Sequence, residues 1–368
     1  MKIGVLGVGK LGLCFALNLE SAGHEVLGVD INQDYVRAIN NKEFFSYEPE
    51  VNGLLESSKK FHATTNILEV LDNGYEILFL MVATPSLPDG SYDHSQIERV
   101  GRALIDFGMR ERRVNLVIGC TVMPGFGDQF HEQLSPLNYS VSYNPEFIAQ
   151  GSIIHDQLHA DHVLIGEANP EIGDTLERLY KGMCKSDPVI CRMSRLSAEI
   201  CKLATNCFLT TKISFANSVG DLATKAGAEP EKILAAIGSD SRIGEKYLKY
   251  GFGFGGPCFP RDNRALNLFA RQNKFNLIIG EATDRVNQQH LQFQFDQYME
   301  NYDSGEVIVF DSIAYKKETV ILDESQPLAL ALKLAHAGRT VKVRDKEAVI
   351  EEVKKTHGDI LLYEITRP

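Results

Sequence analysis

Gly7-Val8-Gly9-Lys10-Leu11-Gly12 follows the apolar run Ile3–Leu6 at the start of the chain and opens an amphipathic stretch from Leu11 to Ala22. A G-x-G-x-x-G by itself says little. Between a strand and a helix it strongly constrains the fold. Gly7 permits the tight turn, Gly9 lets the backbone approach a pyrophosphate, and Gly12 lets the helix lie close on the strand. The N–H groups at the helix start then face the phosphates. Asp30 ends the next apolar run, Glu25–Val29, 18 residues beyond Gly12. A carboxylate there suits ribose hydroxyls and repels a 2′-phosphate, which points to NAD rather than NADP.

Further apolar runs at Ile77–Val82, Asn115–Ile118 and His162–Ile165 alternate with helix-like segments. Breaks such as Thr84-Pro85 and Tyr143-Asn144-Pro145 follow the strands. This alternation predicts an α/β fold with a Rossmann-like, doubly wound parallel sheet. From Ser197 to about Ala226 the pattern changes to one long helix with a single interior glycine, Gly220. Shorter helices are expected over Glu229–Ile237, Cys258–Arg271 and residues 276–300. From about Glu306 the chain returns to α/β, with strands at Val307–Phe310, Val341–Val343 and Ile360–Tyr363 around a helix from Ser325 to Ala337. The expected domains are 1–195 for NAD, 196–300 as a central helical and dimerisation domain, and 301–368 as a short C-terminal α/β domain.

Composition narrows the function. The 368 residues are 44% hydrophobic and 24% charged, which excludes a disordered or collagen-like chain. The net charge is −11, unsuited to nucleic acid on bulk electrostatics. No apolar run approaches a membrane span and no signal peptide is evident, so a cytoplasmic protein is expected. Seven cysteines without a C-x-x-C pair or a zinc spacing suggest neither a disulfide framework nor a metal site.

Two further stretches carry chemistry. Lys202 and Asn206 lie one helical turn apart, both polar in an apolar surrounding, and a cation beside an amide donor can stabilise an oxyanion. The loop Gly251-Phe252-Gly253-Phe254-Gly255-Gly256-Pro257 leads into Cys258-Phe259-Pro260-Arg261-Asp262. A cysteine at a helix N-terminus beside an arginine is expected to have a lowered thiol pKa. Asp262, four residues on, shares its face. A thiolate beside a carboxylate is an arrangement for covalent catalysis.

Together these stretches resemble the UDP-glucose/GDP-mannose dehydrogenase family, over roughly residues 1–345. Gly253 to Asp262 is similar to its cysteine motif, and Tyr143-Asn144-Pro145-Glu146-Phe147 to its N-P-E-F motif. Cys120-Thr121-Val122 resembles its S-T-V turn, and Glu199 to Asn206 its Lys/Asn helix. Arg242-Ile243-Gly244 with Tyr247-Leu248-Lys249 resembles its sugar-nucleotide loop.

The resemblance implies a four-electron oxidation of a nucleotide sugar's C6 alcohol to the carboxylate with two NAD⁺, with UDP-glucose the first choice of substrate. By motif, Cys258 would hold the C6 aldehyde as a thiohemiacetal and then a thioester. Glu146 would assist hydrolysis, Lys202 and Asn206 would stabilise charge on the C6 oxygen, and Asp262 with Thr121 would handle a water. Gly7, Gly9, Lys10, Leu11, Gly12, Asp30, Thr84, Thr121 and Arg261 are the candidate cofactor contacts. Substrate contacts fall on Glu146, Phe147, Lys202, Asn206, Tyr247, Lys249, Phe254, Gly255, Cys258, Tyr315 and Lys316, with Arg242 reaching across a dimer interface. A homodimer and a role in supplying capsule or other surface polysaccharide follow from the same resemblance.

The chain departs from the family pattern at Gln150 for a glutamate, Pro257 for a serine or tyrosine and Arg261 for a lysine. Asp323 stands where an arginine precedes the Glu324-Ser325 pair. Two alternatives are a two-electron β-hydroxyacid dehydrogenase and a catalytically silent binding protein. The former has no need of Cys258, and the latter no need of the Cys258, Lys202, Asn206, Glu146 and Asp262 set.

Overall fold

The computed structural model describes residues 1–148, 151–316 and 319–366, and Gln150 lies outside them. The chain divides into two compact units, Met1–Lys202 and Leu203–Pro368.

The first unit is built on an eight-stranded sheet: β1 (Lys2–Leu6), β2 (Glu25–Val29), β3 (Phe61–Thr64), β4 (Ile77–Leu80), β5 (Val114–Ile118), β6 (Tyr139–Tyr143), β7 (His162–Gly166) and β8 (Val189–Met193). Its order is β3-β2-β1-β4-β5-β6-β7-β8. Strands β1 to β6 pair in parallel. The sheet is the expected doubly wound, mostly parallel one, with a single antiparallel step. β6 meets β7 antiparallel at Tyr143 and Gly166, and β8 follows β7 in parallel. One apolar layer on the sheet gathers Ile3, Val5, Phe15 and Phe79, and another gathers Leu6, Leu78, Leu116 and Val141. This two-faced burial explains the near-continuous apolar strands. The order of strand connection reverses between β1 and β4, and in such sheets ligands bind beyond the strand C-termini at that point.

Three strands of this sheet escaped the sequence reading: β3, β6 and β8. β6 reads Tyr-Ser-Val-Ser-Tyr, which alternates like a half-exposed strand, yet all five residues are buried. The Ser142 hydroxyl is occupied by the Ala168 N–H at 3.1 Å.

The long helix is Arg195–Lys225, and the boundary between the units falls within it, after Lys202. The second unit continues with helices Pro230–Gly238, Phe259–Gln272 and Ile278–Asn301. A three-stranded parallel sheet, β9 (Val307–Phe310), β10 (Thr340–Asp345) and β11 (Leu362–Ile365), follows in the order β11-β10-β9. Ile308, Phe310, Leu330, Val341, Val343 and Val353 form its core. The last strand begins two residues later than the sequence suggests. Among the described residues no helix is long and apolar enough to cross a membrane.

Candidate active site

The turn after β1 is held from both sides, by Gly7 N–H on Val29 O (2.7 Å) and Met81 N–H on Leu6 O (2.7 Å). Gly7 has φ +91°, and a Cβ there would lie 2.9 Å from Met81 O. A Cβ on Gly12 would fall on Gly7 O, so helix Lys10–Ser21 lies directly on the turn. Gly9 is different. A Cβ there meets nothing within 4 Å, and Gly9 caps the helix with no side-chain hydrogen bond. The helix start therefore has free room beside a backbone without a Cβ. That is a cradle for a pyrophosphate. Asp30 follows β2, where its Oδ1 accepts from Asn32 N–H at 3.0 Å. The residues present fit an NAD cofactor.

Between the segments that follow β4 and β5, the Thr84 hydroxyl donates to Thr121 O at 2.7 Å, and Met123 N–H donates to His94 Nε2 at 3.2 Å. His94 packs on Phe126 with ring centroids 4.0 Å apart and the rings tilted by 36°, and burial pushes the imidazole down to about 4. The buried Glu199 carboxylate accepts from the Gly125 N–H at 2.6 Å and the Gly127 N–H at 2.8 Å. Burial pushes it up to about 7, against those two bonds. Neither His94 nor Glu199 was singled out from the sequence. The one signal was an acid in an apolar stretch, one turn before Lys202.

Asn144 anchors the segment after β6. Its N–H donates to Ile118 O at 2.8 Å, its Nδ2 to Leu164 O at 2.8 Å, and its Oδ1 accepts from the Tyr180 hydroxyl at 2.6 Å. The buried Lys202 ammonium donates to Glu146 O at 2.6 Å and stands 4.2 Å from the Phe147 ring centroid. Burial pushes the Glu146 carboxyl up to about 7, while Lys202 and Gln157 pull the other way. A carboxyl with that value can exchange protons near neutral pH.

In the second unit, Asn206 Nδ2 donates to Asp262 Oδ2 at 2.6 Å, and Arg261 Nε stands 3.4 Å from Oδ1. Asp262 is buried, and its N–H donates to Cys258 O at 2.8 Å, closing the first turn of helix Phe259–Gln272. Cys258 is exposed at the cap position, with Pro260 in the first turn. The Tyr315 ring packs where a Cβ on Gly256 would be, and burial together with Cys258 and Tyr247 raises its hydroxyl pKa. Tyr247, at φ +63°, sets its ring edge-on to Phe259 at 6.1 Å.

The remaining candidates are more dispersed. Arg242 is exposed and paired with Asp240 of its own chain at 2.6 Å. Lys249 and Lys316 are exposed, whereas Phe254 is buried. A Cβ on Gly255 would fall on Glu324 O. Asp323 accepts the Gly256 N–H through its carbonyl at 2.8 Å, and Arg264 forks onto Glu324 at 2.7 and 2.6 Å.

A glycine turn at the switch point of a β3-β2-β1-β4-β5-β6 sheet defines an NAD-binding domain of the dehydrogenase class. Comparison with known proteins refines this. Residues 1–184 match the NAD binding domain of the UDP-glucose/GDP-mannose dehydrogenase family, and residues 196–289 match its central domain. A UDP-glucose 6-dehydrogenase of Pseudomonas aeruginosa is 30% identical over 363 residues, 95% of this chain and 79% of that protein. A GDP-mannose 6-dehydrogenase of the same organism is 30% identical over 374 residues, covering 97% of this chain and 83% of that one. The structure of a UDP-glucose dehydrogenase from Pyrobaculum islandicum superposes with a TM-score of 0.88 at 30% identity, over 99% of this chain and 85% of that chain. The chain belongs to the UDP-glucose/GDP-mannose dehydrogenase family.

Proposed function

We propose that this nucleotide-sugar dehydrogenase converts UDP-glucose to UDP-glucuronate by a four-electron oxidation through Cys258. The observation that carries the reading is the buried Asp262 carboxylate, fixed by Asn206 at 2.6 Å and one turn from the exposed Cys258 thiol. The relatives named as UDP-glucose 6-dehydrogenases support the choice of sugar.

Gly7–Gly12 and Asp30 would hold NAD⁺, which would supply the hydride acceptor, one NAD⁺ for each oxidation with NADH exchanged for fresh NAD⁺ between them. Asp262 takes the alcohol proton through a water as hydride leaves C6, and Thr121 orients that water. Lys202 and Asn206 stabilise the charge developing on the C6 oxygen. The Cys258 sulfur then adds to the aldehyde carbon, and the carbonyl oxygen gains a proton to give the thiohemiacetal. Loss of a second hydride from C6, with the hydroxyl proton, gives the thioester. Glu146 takes a proton from the water that attacks the thioester carbonyl. The C–S bond breaks, the thiol is restored and the carboxylate leaves. Covalent capture keeps the aldehyde in place between the two oxidations.

The sugar nucleotide is held by Phe147, Tyr247, Lys249, Gly255, Tyr315 and Lys316 in this reading. Phe254 serves through the loop it anchors, because its ring is buried. Arg261 and Thr84 lie on the cofactor side. A homodimer completes the picture. Phe208, Phe215 and Leu222 of the long helix are 64%, 50% and 69% exposed, and their seven-residue spacing puts them on one face. A second copy covers that face and brings Arg242 to its neighbour's substrate. The enzyme then works in the cytoplasm, with both reactants in solution.

Turnover of a panel of UDP-glucose, UDP-N-acetylhexosamines and GDP-mannose with NAD⁺ tests the reading. UDP-glucose should give the highest kcat/KM, and Cys258→Ala should abolish formation of the carboxylate product. Preference for GDP-mannose would overturn the base and sugar assignment. No turnover of any sugar, with NAD⁺ bound, would overturn the activity.

A further inference from the structure

The segment from Gly251 to Gly256 carries the chain into the cysteine helix, and its glycines give it little stiffness of its own. A nucleophile needs a fixed position, since misplacement by about 1 Å costs on the order of 100-fold in rate. Irregular backbone also needs hydrogen-bond partners when it is not open to water. Both demands are met here by side chains.

Helix Ile278–Asn301 sends two of them, one turn apart. Asn287, 9% exposed, accepts the Phe254 N–H on Oδ1 at 2.9 Å and donates from Nδ2 to Phe254 O at 2.9 Å. A single amide thus satisfies both backbone groups of one residue, as a neighbouring strand would. His290, 1% exposed, places Nε2 2.5 Å from Gly251 O. Its Nδ1 lies 2.9 Å from each oxygen of Asp221 on the long helix. The Tyr250 hydroxyl donates to the same carboxylate at 2.8 Å, and the Tyr250 ring lies where a Cβ on Gly220 would be. From the long helix, Asn217 accepts the Gly251 N–H at 3.1 Å and donates to Phe252 O at 3.4 Å. Gly253 is required by this arrangement, because a Cβ there would fall on Asn287 Oδ1.

We propose that Asn287 and His290, supported by Asn217 and Asp221, are positioning residues that clamp the glycine loop and so fix Cys258 for attack on the aldehyde. The proposal rests on Cys258 as the nucleophile. Its consequence is selective. The first oxidation needs no sulfur, whereas capture and the second oxidation do. A loosened clamp therefore lets aldehyde escape.

The test uses the full chain and the variants Asn287→Ala, His290→Ala and Gly253→Ala. Gly253→Ala deletes no contact, and its Cβ would displace the Asn287 amide. Two quantities are read: NADH formed per sugar consumed, with released aldehyde trapped by a hydrazine, and the rate of Cys258 alkylation by iodoacetamide followed by peptide mass. Thermal melting reports on folding. The clamp predicts that the ratio falls from two towards one with aldehyde released, and that the Cys258 alkylation rate changes at least about ten-fold. Gly253→Ala should reproduce Asn287→Ala, and the double variant should be no worse than either, as expected of residues acting as one unit. His290→Gln, which keeps a donor of similar reach for Gly251 O, should restore part of the ratio. Folded variants that lose both oxidations equally, or that keep a ratio of two and wild-type alkylation, would overturn the clamp. Where a variant does not fold, Gly253→Ala and His290→Gln decide by the same criteria. Cys258→Ala run beside them separates the two ideas: a ratio of two in that protein would overturn the nucleophile itself.

Discussion

Asn206 Nδ2 donates to Asp262 Oδ2 at 2.6 Å, joining the long helix to the cysteine helix through a buried carboxylate. The bond takes up one of the two polar groups that stand a turn apart on the long helix. The other, Lys202, donates instead to Glu146 O at 2.6 Å. Each therefore has a defined protein partner before any substrate is considered. We expect Asn206→Ala to lower stability by about 1–3 kcal/mol, because a buried carboxylate loses a donor. Turnover should fall at least about ten-fold. Thermal melting and steady-state kinetics check both, and an unchanged melting temperature would contradict the structural half.

Glu146 offers a kinetic test. Burial raises its carboxyl to about 7, and the role proposed for it in thioester hydrolysis needs the carboxylate. Hydrolysis should rise with pH through about 7 and level off above it. Glu146→Gln should accumulate the acylated protein, visible as added mass on the Cys258 peptide after mixing with NAD⁺ and sugar. Absence of that adduct, with turnover retained, would remove Glu146 from the reaction.

Glu199 gives a stability test. Its folded value of about 7 lies above the ordinary 4.5 because of burial. Between those values the folded chain keeps a proton that the unfolded chain has released. Its contribution is therefore fully present below about 4.5 and is lost as pH rises through about 7. Glu146, shifted the same way, adds to the effect. Urea melts across about pH 5 to 8 should show less loss of stability with rising pH in Glu199→Gln than in the wild type, while His94, pushed down to about 4, works in the opposite direction in both proteins. Equal slopes in the two proteins would contradict the account.

Gly9 and Gly12 should separate folding from cofactor binding. A Cβ on Gly9 meets nothing, whereas one on Gly12 falls on Gly7 O. Gly9→Val should lose only the small stability of a better helix cap and lose NAD affinity by at least about ten-fold, a change of roughly 1.4 kcal/mol. Gly12→Ala should melt earlier. Calorimetry of NAD binding beside thermal melting measures both.

Much of the fold was legible because apolar runs and glycine breaks mark it. β2 and β9 fall on the residues expected from the sequence, and the N-terminal turn could be read from three glycines and Asp30. β6 was not, because Ser140 and Ser142 look like exposed positions until both faces of the sheet are covered. The glycine loop and Cys258 were legible from their density of unusual residues. The side chains that hold the loop were not. Asn287 reaches Phe254 from 33 residues away and His290 reaches Gly251 from 39, and side-chain bonds to distant backbone leave no periodic trace. Glu199 escaped for the same reason: its partners, the N–H groups of Gly125 and Gly127, are brought to it only by the folded sheet.

The central claim is that one thiol carries a sugar through two oxidations. Its most direct measurement is the ratio of NADH formed to sugar consumed in a single closed reaction of wild-type protein with UDP-glucose, beside Cys258→Ala. The account predicts a ratio of two with UDP-glucuronate as product, and loss of the carboxylate product in the variant. A ratio of one in the wild type, unchanged in Cys258→Ala, would contradict it.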